Sequence, residues 1–220
     1  MNVLQYTVKE NTEADETEAS MAKLYFRYGA MGCSKTANAL MVAFNYEEKG
    51  LRPLVLKPRI DNRDGDRIIK SRIGLQRECE FCNDYLDGSV EDVLEKTKNY
   101  DCIIIDEVQF CTIEEVLMLP HIVLNNRIPV ICYGLRDDFL LNPFPASEKL
   151  CAIADKIEEL KTVCWCGDGA TCNARIDANG NIIRKGKQIE LGGNDKYVSL
   201  CKKHYFSGET GRISSRFLSN

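Results

Sequence analysis

The chain has 220 residues, eleven of them cysteine, and a formal net charge of −4. That length suits one good-sized domain, or one domain with a small satellite. The acidic balance removes any electrostatic reason to expect nucleic acid or an anionic membrane as partner. An odd cysteine count, with Cys102, Cys132 and Cys151 inside apolar runs, argues against a secreted disulfide scaffold. No run approaches the ~20 apolar residues of a membrane span, and no basic-then-apolar leader is present, so a soluble cytoplasmic protein is expected. Glu10, Glu13, Asp15, Glu16 and Glu18 crowd a stretch with few apolar neighbours, and residues 1–20 read as a disordered acidic tail.

In chain order, the first element is an apolar strand, Tyr25-Phe26-Arg27-Tyr28, running into Gly29-Ala30-Met31-Gly32-Cys33-Ser34-Lys35-Thr36. A glycine-bearing loop that ends in Lys-Thr and opens a helix is suited to phosphate. Its backbone N–H groups can meet phosphate oxygens, Lys35 can reach the β- and γ-phosphates, and the Thr36 hydroxyl can ligate Mg²⁺. Ser34 stands where the phosphate-loop pattern has glycine, so taken alone the segment also reads as an ordinary strand–turn–helix. Pro53–Lys57 reads as a strand, Asp61–Arg67 as a charged loop, and Ser89–Lys96 as a serine-capped helix. Cys102-Ile103-Ile104-Ile105-Asp106-Glu107 is a buried-strand run that ends in two carboxylates. In phosphate-loop enzymes a second strand ends in an acid that holds the Mg²⁺ shell. Asp106 fits that role, and Glu107 is free to act as a base. A helix near Ile113–Leu119 and a strand at Ile128–Tyr133 follow. The alternation predicts a mostly parallel sheet with helices on both faces, and ligands beyond the strands' C-terminal ends.

Past residue 160 the character changes. Cys164-Trp165-Cys166 and Cys201-Lys202-Lys203-His204 are two tight pairs of soft ligands, which suit a tetrahedral Zn²⁺. Cys172 is a fifth candidate by spacing. Asp177–Asn181 and Gly192–Asp195, between the pairs, read as a hairpin and a loop. Cys79 and Cys82 have metal-like spacing but no partner pair, and read as packing.

These segments together resemble the cytosolic, zinc-containing (type II) thymidine kinases, the bacterial branch above all, from Met21 to Phe206. The likeness rests on the order of the Gly29–Thr36 loop, Asp61-Asn62-Arg63, Ser71-Arg72-Ile73-Gly74, Asp106–Phe110, Tyr133–Phe139, Ile157–Thr162, Gly192–Tyr197 and the two ligand pairs. It implies an α/β phosphate-loop NTPase core over 21–160, a small zinc-stapled lasso domain over 161–206 and a C-terminal tail over 207–220. The implied reaction moves the γ-phosphate of ATP to the 5′-hydroxyl of thymidine, giving dTMP in deoxynucleoside salvage. By the same resemblance Glu107 is the catalytic base, and Thr36 and Asp106 hold Mg²⁺. Gly29–Thr36, Asp61–Arg63 and the stretch Asp106, Glu107, Val108 and Gln109 contact ATP. Phe139 and Phe144 flank thymine, and Gln188, Ile189, Glu190, Leu191, Gly192 and Tyr197 belong to the loop that grips thymidine. Cys164, Cys166, Cys201 and His204 hold zinc. Family members form homotetramers and are inhibited by dTTP. Two rival readings are a phosphotransfer-deficient nucleotide-binding regulator, whose only support is Ser34, and a phosphate-loop ATPase with a nucleic-acid-docking zinc module, which the acidic charge disfavours.

Overall fold

The computed structural model describes residues 22–63, 65–189 and 196–211. The expected acidic tail at 1–20, the loop residues Glu190, Leu191 and Gly192, and most of the tail at 207–220 lie outside the described residues. Strand β1 (Leu24–Tyr28) leads through the glycine-bearing loop into helix α1 (Lys35–Glu47), and β2 (Pro53–Lys57) follows. A hairpin of β3 (Ile68–Lys70) and β4 (Gln76–Glu78) comes next, then β5 (Glu80–Phe81), α2 (Cys82–Leu86) and α3 (Val90–Thr97). The carboxylate-ending strand is β6 (Cys102–Ile105). After it come a 3₁₀ turn (Val108–Phe110), α4 (Ile113–His121), β7 (Val130–Gly134), α5 (Pro145–Ile153) and β8 (Lys156–Glu159).

Six strands form one sheet in the order β5-β2-β6-β7-β1-β8, and every pairing in it is parallel. Alternation along β6 sends Ile103 and Ile105 to one face and Cys102 and Ile104 to the other. The first pair packs with Val93, Val116, Leu119 and Leu150. The second packs with Ala39, Leu40 and Ala43 of α1. Both faces are therefore covered, which is why this strand is apolar without interruption. Serine 89 and Thr112 each close a capping box at the start of α3 and α4, satisfying N–H groups left over by the first turn.

The charged loop read at Asp61–Arg67 leads into the β3–β4 hairpin, for which no element is predicted from the sequence. Strand β4 is Gln-Arg-Glu and has no apolar alternation. Backbone pairing to β3 and the ion pair from Arg77 to Glu47 of α1 hold it instead. Beyond the sheet, β9 (Thr162–Val163) pairs with β10 (Gly169–Ala170) around Cys164 and Cys166. Strand β11 (Cys172–Arg175) pairs antiparallel with β12 (Tyr197–Leu200), and α6 (Lys202–Ser207) carries His204. Among the described residues no helix is long and apolar enough to cross a membrane.

Candidate active site

The C-terminal ends of β1, β2, β6 and β7 meet at a cavity of about 530 Å³. One wall is the phosphate-loop candidate. Ser34 opens α1 with φ 63° and makes no side-chain cap, and the first turn holds no acidic residue. The helix N-terminus thus presents unclaimed N–H groups and positive potential to the cavity, the arrangement that receives phosphate. Gly32 has φ 79° as well, so the loop takes two left-handed turns within three residues. Lys35 is buried and folds back, donating to the carbonyls of Gly29 (3.0 Å) and Ala30 (3.1 Å). Its ammonium therefore lies within the loop's own ring of backbone groups.

Beside this wall stand the two carboxylates. Asp106 is buried, and its Oδ1 has no hydrogen-bond partner. Burial, with Glu107 beside it, pushes its carboxyl up to about 7, against the Thr36 hydroxyl and Lys35. An orphaned carboxylate oxygen next to a threonine hydroxyl and the phosphate wall is a donor set that fits a hard divalent cation. Glu107 sits in the left-handed region at φ 53°, and this turn directs its side chain into the cavity. It is not free, contrary to expectation. Arg63 Nη2 lies 2.7 Å from Glu107 Oε1 and Gln109 Nε2 donates to Oε2 at 2.5 Å. Burial alone would raise Glu107, but Arg63 and Lys35 overrule it and hold the carboxyl below its usual range. Arg63 also donates from Nε to Asp61 at 2.6 Å. Burial opposes charge on this guanidinium, yet Glu107 and Asp61 raise it above the ordinary arginine range. Gln109 is fixed in turn, its Oε1 accepting from the Leu135 N–H at 2.9 Å.

The far wall is aromatic. Phe139 and Phe144 are buried and line the cavity with Gln188, Ile189 and Tyr197. The Arg175 guanidinium lies 3.8 Å from the centre of the Phe139 ring and donates to Tyr197 Oη at 2.9 Å and to the Lys187 carbonyl at 3.1 Å. Of the expected nucleotide contacts, Met31, Gly32, Ser34, Lys35, Thr36, Asp61, Arg63, Asp106, Glu107 and Gln109 line the cavity. Gly29, Ala30, Cys33, Asn62 and Val108 lie behind or beside it, and Val108 belongs to the core. Sequence reasoning did not place Arg72, Phe110, Asp137 or Asn173 in the site, yet all four line it. The Ser71–Gly74 motif was a signal for the first.

About the two ligand pairs, Cys164, Cys166, Cys201 and His204 bring one donor atom each within 4.8 Å of one another. His204 turns Nδ1 toward Cys201 Sγ (3.2 Å) and Cys164 Sγ (3.5 Å). Its Nε2 faces Glu209, the outer carboxylate that commonly orients a ligating imidazole. Burial opposes ionisation of Cys164, but backbone N–H groups of Cys166 and Cys201, with His204, bring its thiol down to about 6. Three sulfurs and one imidazole at this separation are a tetrahedral soft-metal donor set. Cys172 packs in the hairpin core outside that set. Cys79 and Cys82 are buried in the main domain, the latter 3.6 Å from Cys111.

A parallel sheet, a lysine-ended loop on a helix N-terminus and a carboxylate pair at the neighbouring strand end define a phosphate-loop phosphotransferase. The family model described as "Thymidine kinase" matches residues 22–205. The chain belongs to the thymidine kinase family and is an ATP-dependent nucleoside kinase. It is 45% identical over 186 residues to the thymidine kinase of Photobacterium profundum, covering 84% of this chain and 97% of that one. Against that of Idiomarina loihiensis it is also 45% identical over 186 residues, covering 84% and 96%. Against that of Legionella pneumophila strain Paris the figures are 43% over 198 residues, 89% and 95%. Among solved structures, AMPPCP-bound DnaA from Aquifex aeolicus aligns over 64% of this chain and 41% of that one, with a TM-score of 0.41 and 16% identity.

Proposed function

We propose that this site transfers the γ-phosphate of ATP to the 5′-hydroxyl of thymidine, with Glu107 as the base. The observation that carries the reading is the placing of Glu107: beside the phosphate wall, facing the aromatic wall, and locked by Arg63 and Gln109. Phosphoryl transfer asks a protein chiefly for position and charge. A nucleoside held between Phe139 and Phe144 would bring its 5′-hydroxyl to Glu107, which accepts the proton as the oxygen attacks phosphorus. Arg63 and Lys35 supply positive charge where the transferring group gathers negative charge. Thr36 and Asp106 would hold Mg²⁺, which supplies neutralisation of the phosphate oxygens when bound. Gln188, Ile189 and Tyr197 would lie against thymidine and help exclude water, the competing acceptor.

Cys164, Cys166, Cys201 and His204 would hold a structural Zn²⁺, dividing the chain into a nucleotide-binding domain at 21–160 and a lasso domain at 161–206. A homotetramer, inhibition by dTTP and a cytoplasmic location complete the proposal, supported by family membership alone. The test is Glu107→Gln, which keeps size and hydrogen bonding but cannot accept the proton. We expect kcat to fall ~10²–10⁴-fold with thymidine affinity little changed. Near-wild-type turnover would remove Glu107 from the role. An unaltered chain that binds ATP but phosphorylates neither thymidine nor another deoxynucleoside would favour the regulator reading.

A further inference from the structure

The β11–β12 hairpin is tied to the metal-ligand cluster, but one of its faces also reaches the phosphate loop. Asn173 and Ser199 are cross-strand partners, so their side chains stand side by side on one face. Asn173 Oδ1 accepts the Met31 N–H at 2.8 Å, and Ser199 Oγ donates to the Met31 carbonyl. One residue of the loop thus has both backbone groups held by a pair of side chains from the hairpin. The amide orientation follows from its partners, since Nδ2 faces the Asp137 carbonyl at 3.4 Å while Oδ1 faces an N–H. Asn173 is buried, so neither of its groups is exchanged freely for water. Thr162 of β9 adds a weaker contact to the Gly32 carbonyl at 3.4 Å.

The loop needs such support. Met31 is followed at once by Gly32 at φ 79°, and Ser34 sits at φ 63° without a glycine's freedom. A loop with one permissive and one strained joint has several accessible shapes, and an external hold on Met31 selects among them. Two residues further along the same strands, Arg175 and Tyr197 are also cross-strand partners, on the same face; Arg175 holds the Lys187 carbonyl and Phe139, and Tyr197 Oη accepts from Arg175. The hairpin thereby touches the phosphate side with one rung and the nucleoside side with the next.

We propose that Asn173 and Ser199 are positioning residues for the phosphoryl donor: they fix the Met31 peptide and so set the shape of the phosphate loop, although they belong to the metal-stapled hairpin. The proposal rests on residues 29–36 being the ATP phosphate loop, and Lys35→Ala tests that separately. The experiment is steady-state kinetics with ATP and thymidine varied in turn, on Asn173→Leu, Ser199→Ala and the double variant. Losing a buried hydrogen bond should raise KM for ATP about five- to thirty-fold in Asn173→Leu and less in Ser199→Ala. The double variant should cost less than the product of the two, because both act on one peptide. KM for thymidine should stay within about twofold and metal content by elemental analysis should be unchanged; these two readouts separate a local effect on the loop from a damaged hairpin. An unchanged KM for ATP in Asn173→Leu, or an equal rise in both KM values, overturns the proposal. If Lys35→Ala also leaves ATP affinity intact, the phosphate-loop reading itself fails.

Discussion

Two residues at the centre of the site carry conformational or electrostatic cost, and each gives a test. Ser34 occupies the left-handed region at φ 63° and is exposed, so its Cβ costs roughly 1 kcal/mol that glycine would not incur. Ser34→Gly should raise the melting temperature by about 3 °C and lower KM for ATP, with KM for thymidine unmoved. No change in either would mean that the loop tolerates Cβ there without strain. Asp106 has the opposite problem, a carboxyl raised from its ordinary value to about 7 by burial. In the folded protein it keeps its proton between roughly pH 4 and pH 7, where the unfolded chain has already lost its own. Without Mg²⁺, this residue's contribution to stability should be fully present below about pH 4, fall as pH rises to about 7, and be gone above that. Melting curves of wild type and Asp106→Asn across that range check it; parallel pH profiles for the two proteins would refute it. Mg²⁺ should stabilise the wild type more at pH 8 than at pH 5, because only the ionised carboxylate attracts it.

At the scale of elements, the close approach of β7 to the 3₁₀ turn decides whether Glu107 is aimed. A Cβ on Gly134 would stand 2.6 Å from Gln109 Oε1 and 2.9 Å from Val108 Cγ1, so no larger residue fits without moving that turn. Gly134→Ala should destabilise the fold by about 1–3 kcal/mol and also lower kcat, since Gln109 holds both Glu107 and the Leu135 N–H. Thr112→Ala is the control. It removes the cap of α4 at a cost of about 1 kcal/mol and should leave kcat alone. Equal loss of activity in both variants would show that stability, not aim, is being measured. The sequence displayed these elements unevenly. Strands β1, β2, β6 and β7, the serine-capped helix α3 and the helix near Ile113–Leu119 were legible because period and the serine cap are local signals. Strands β3 and β4 were not, because short polar strands carry no apolar pattern and exist through their pairing.

For the molecule as a whole, the question is what the metal-ligand cluster sustains. We expect one tightly bound Zn²⁺ per chain, lost in Cys201→Ser and in a Cys164/Cys166 double variant, and retained in Cys79→Ser and Cys82→Ser. Elemental analysis of the purified proteins decides this, and metal lost from either of the last two would overturn the assignment. Cys201→Ser should weaken thymidine binding through Arg175, which holds the Lys187 carbonyl and Phe139. Because the same hairpin holds Met31, ATP binding should suffer as well, an effect that a lasso acting only on the nucleoside would not produce.

The amino-acid sequence by itself determined the alternation of strands and helices, the lysine-ended loop, the carboxylate pair and the two soft-ligand pairs. Each is written in neighbouring residues, so spacing and residue type are enough to expose it. Only the tertiary structure decided that Glu107 is held by Arg63 and Gln109 instead of standing free. It also decided that Asp106 keeps an unpartnered oxygen, and that Asn173 and Ser199 reach the Met31 peptide from a distant part of the chain. Those facts depend on which groups lose water together and, for Arg63, Asn173 and Ser199, on partners found across 44 to 168 residues of sequence. Burial and pairing of that kind are properties of the packed chain, and no local pattern encodes them.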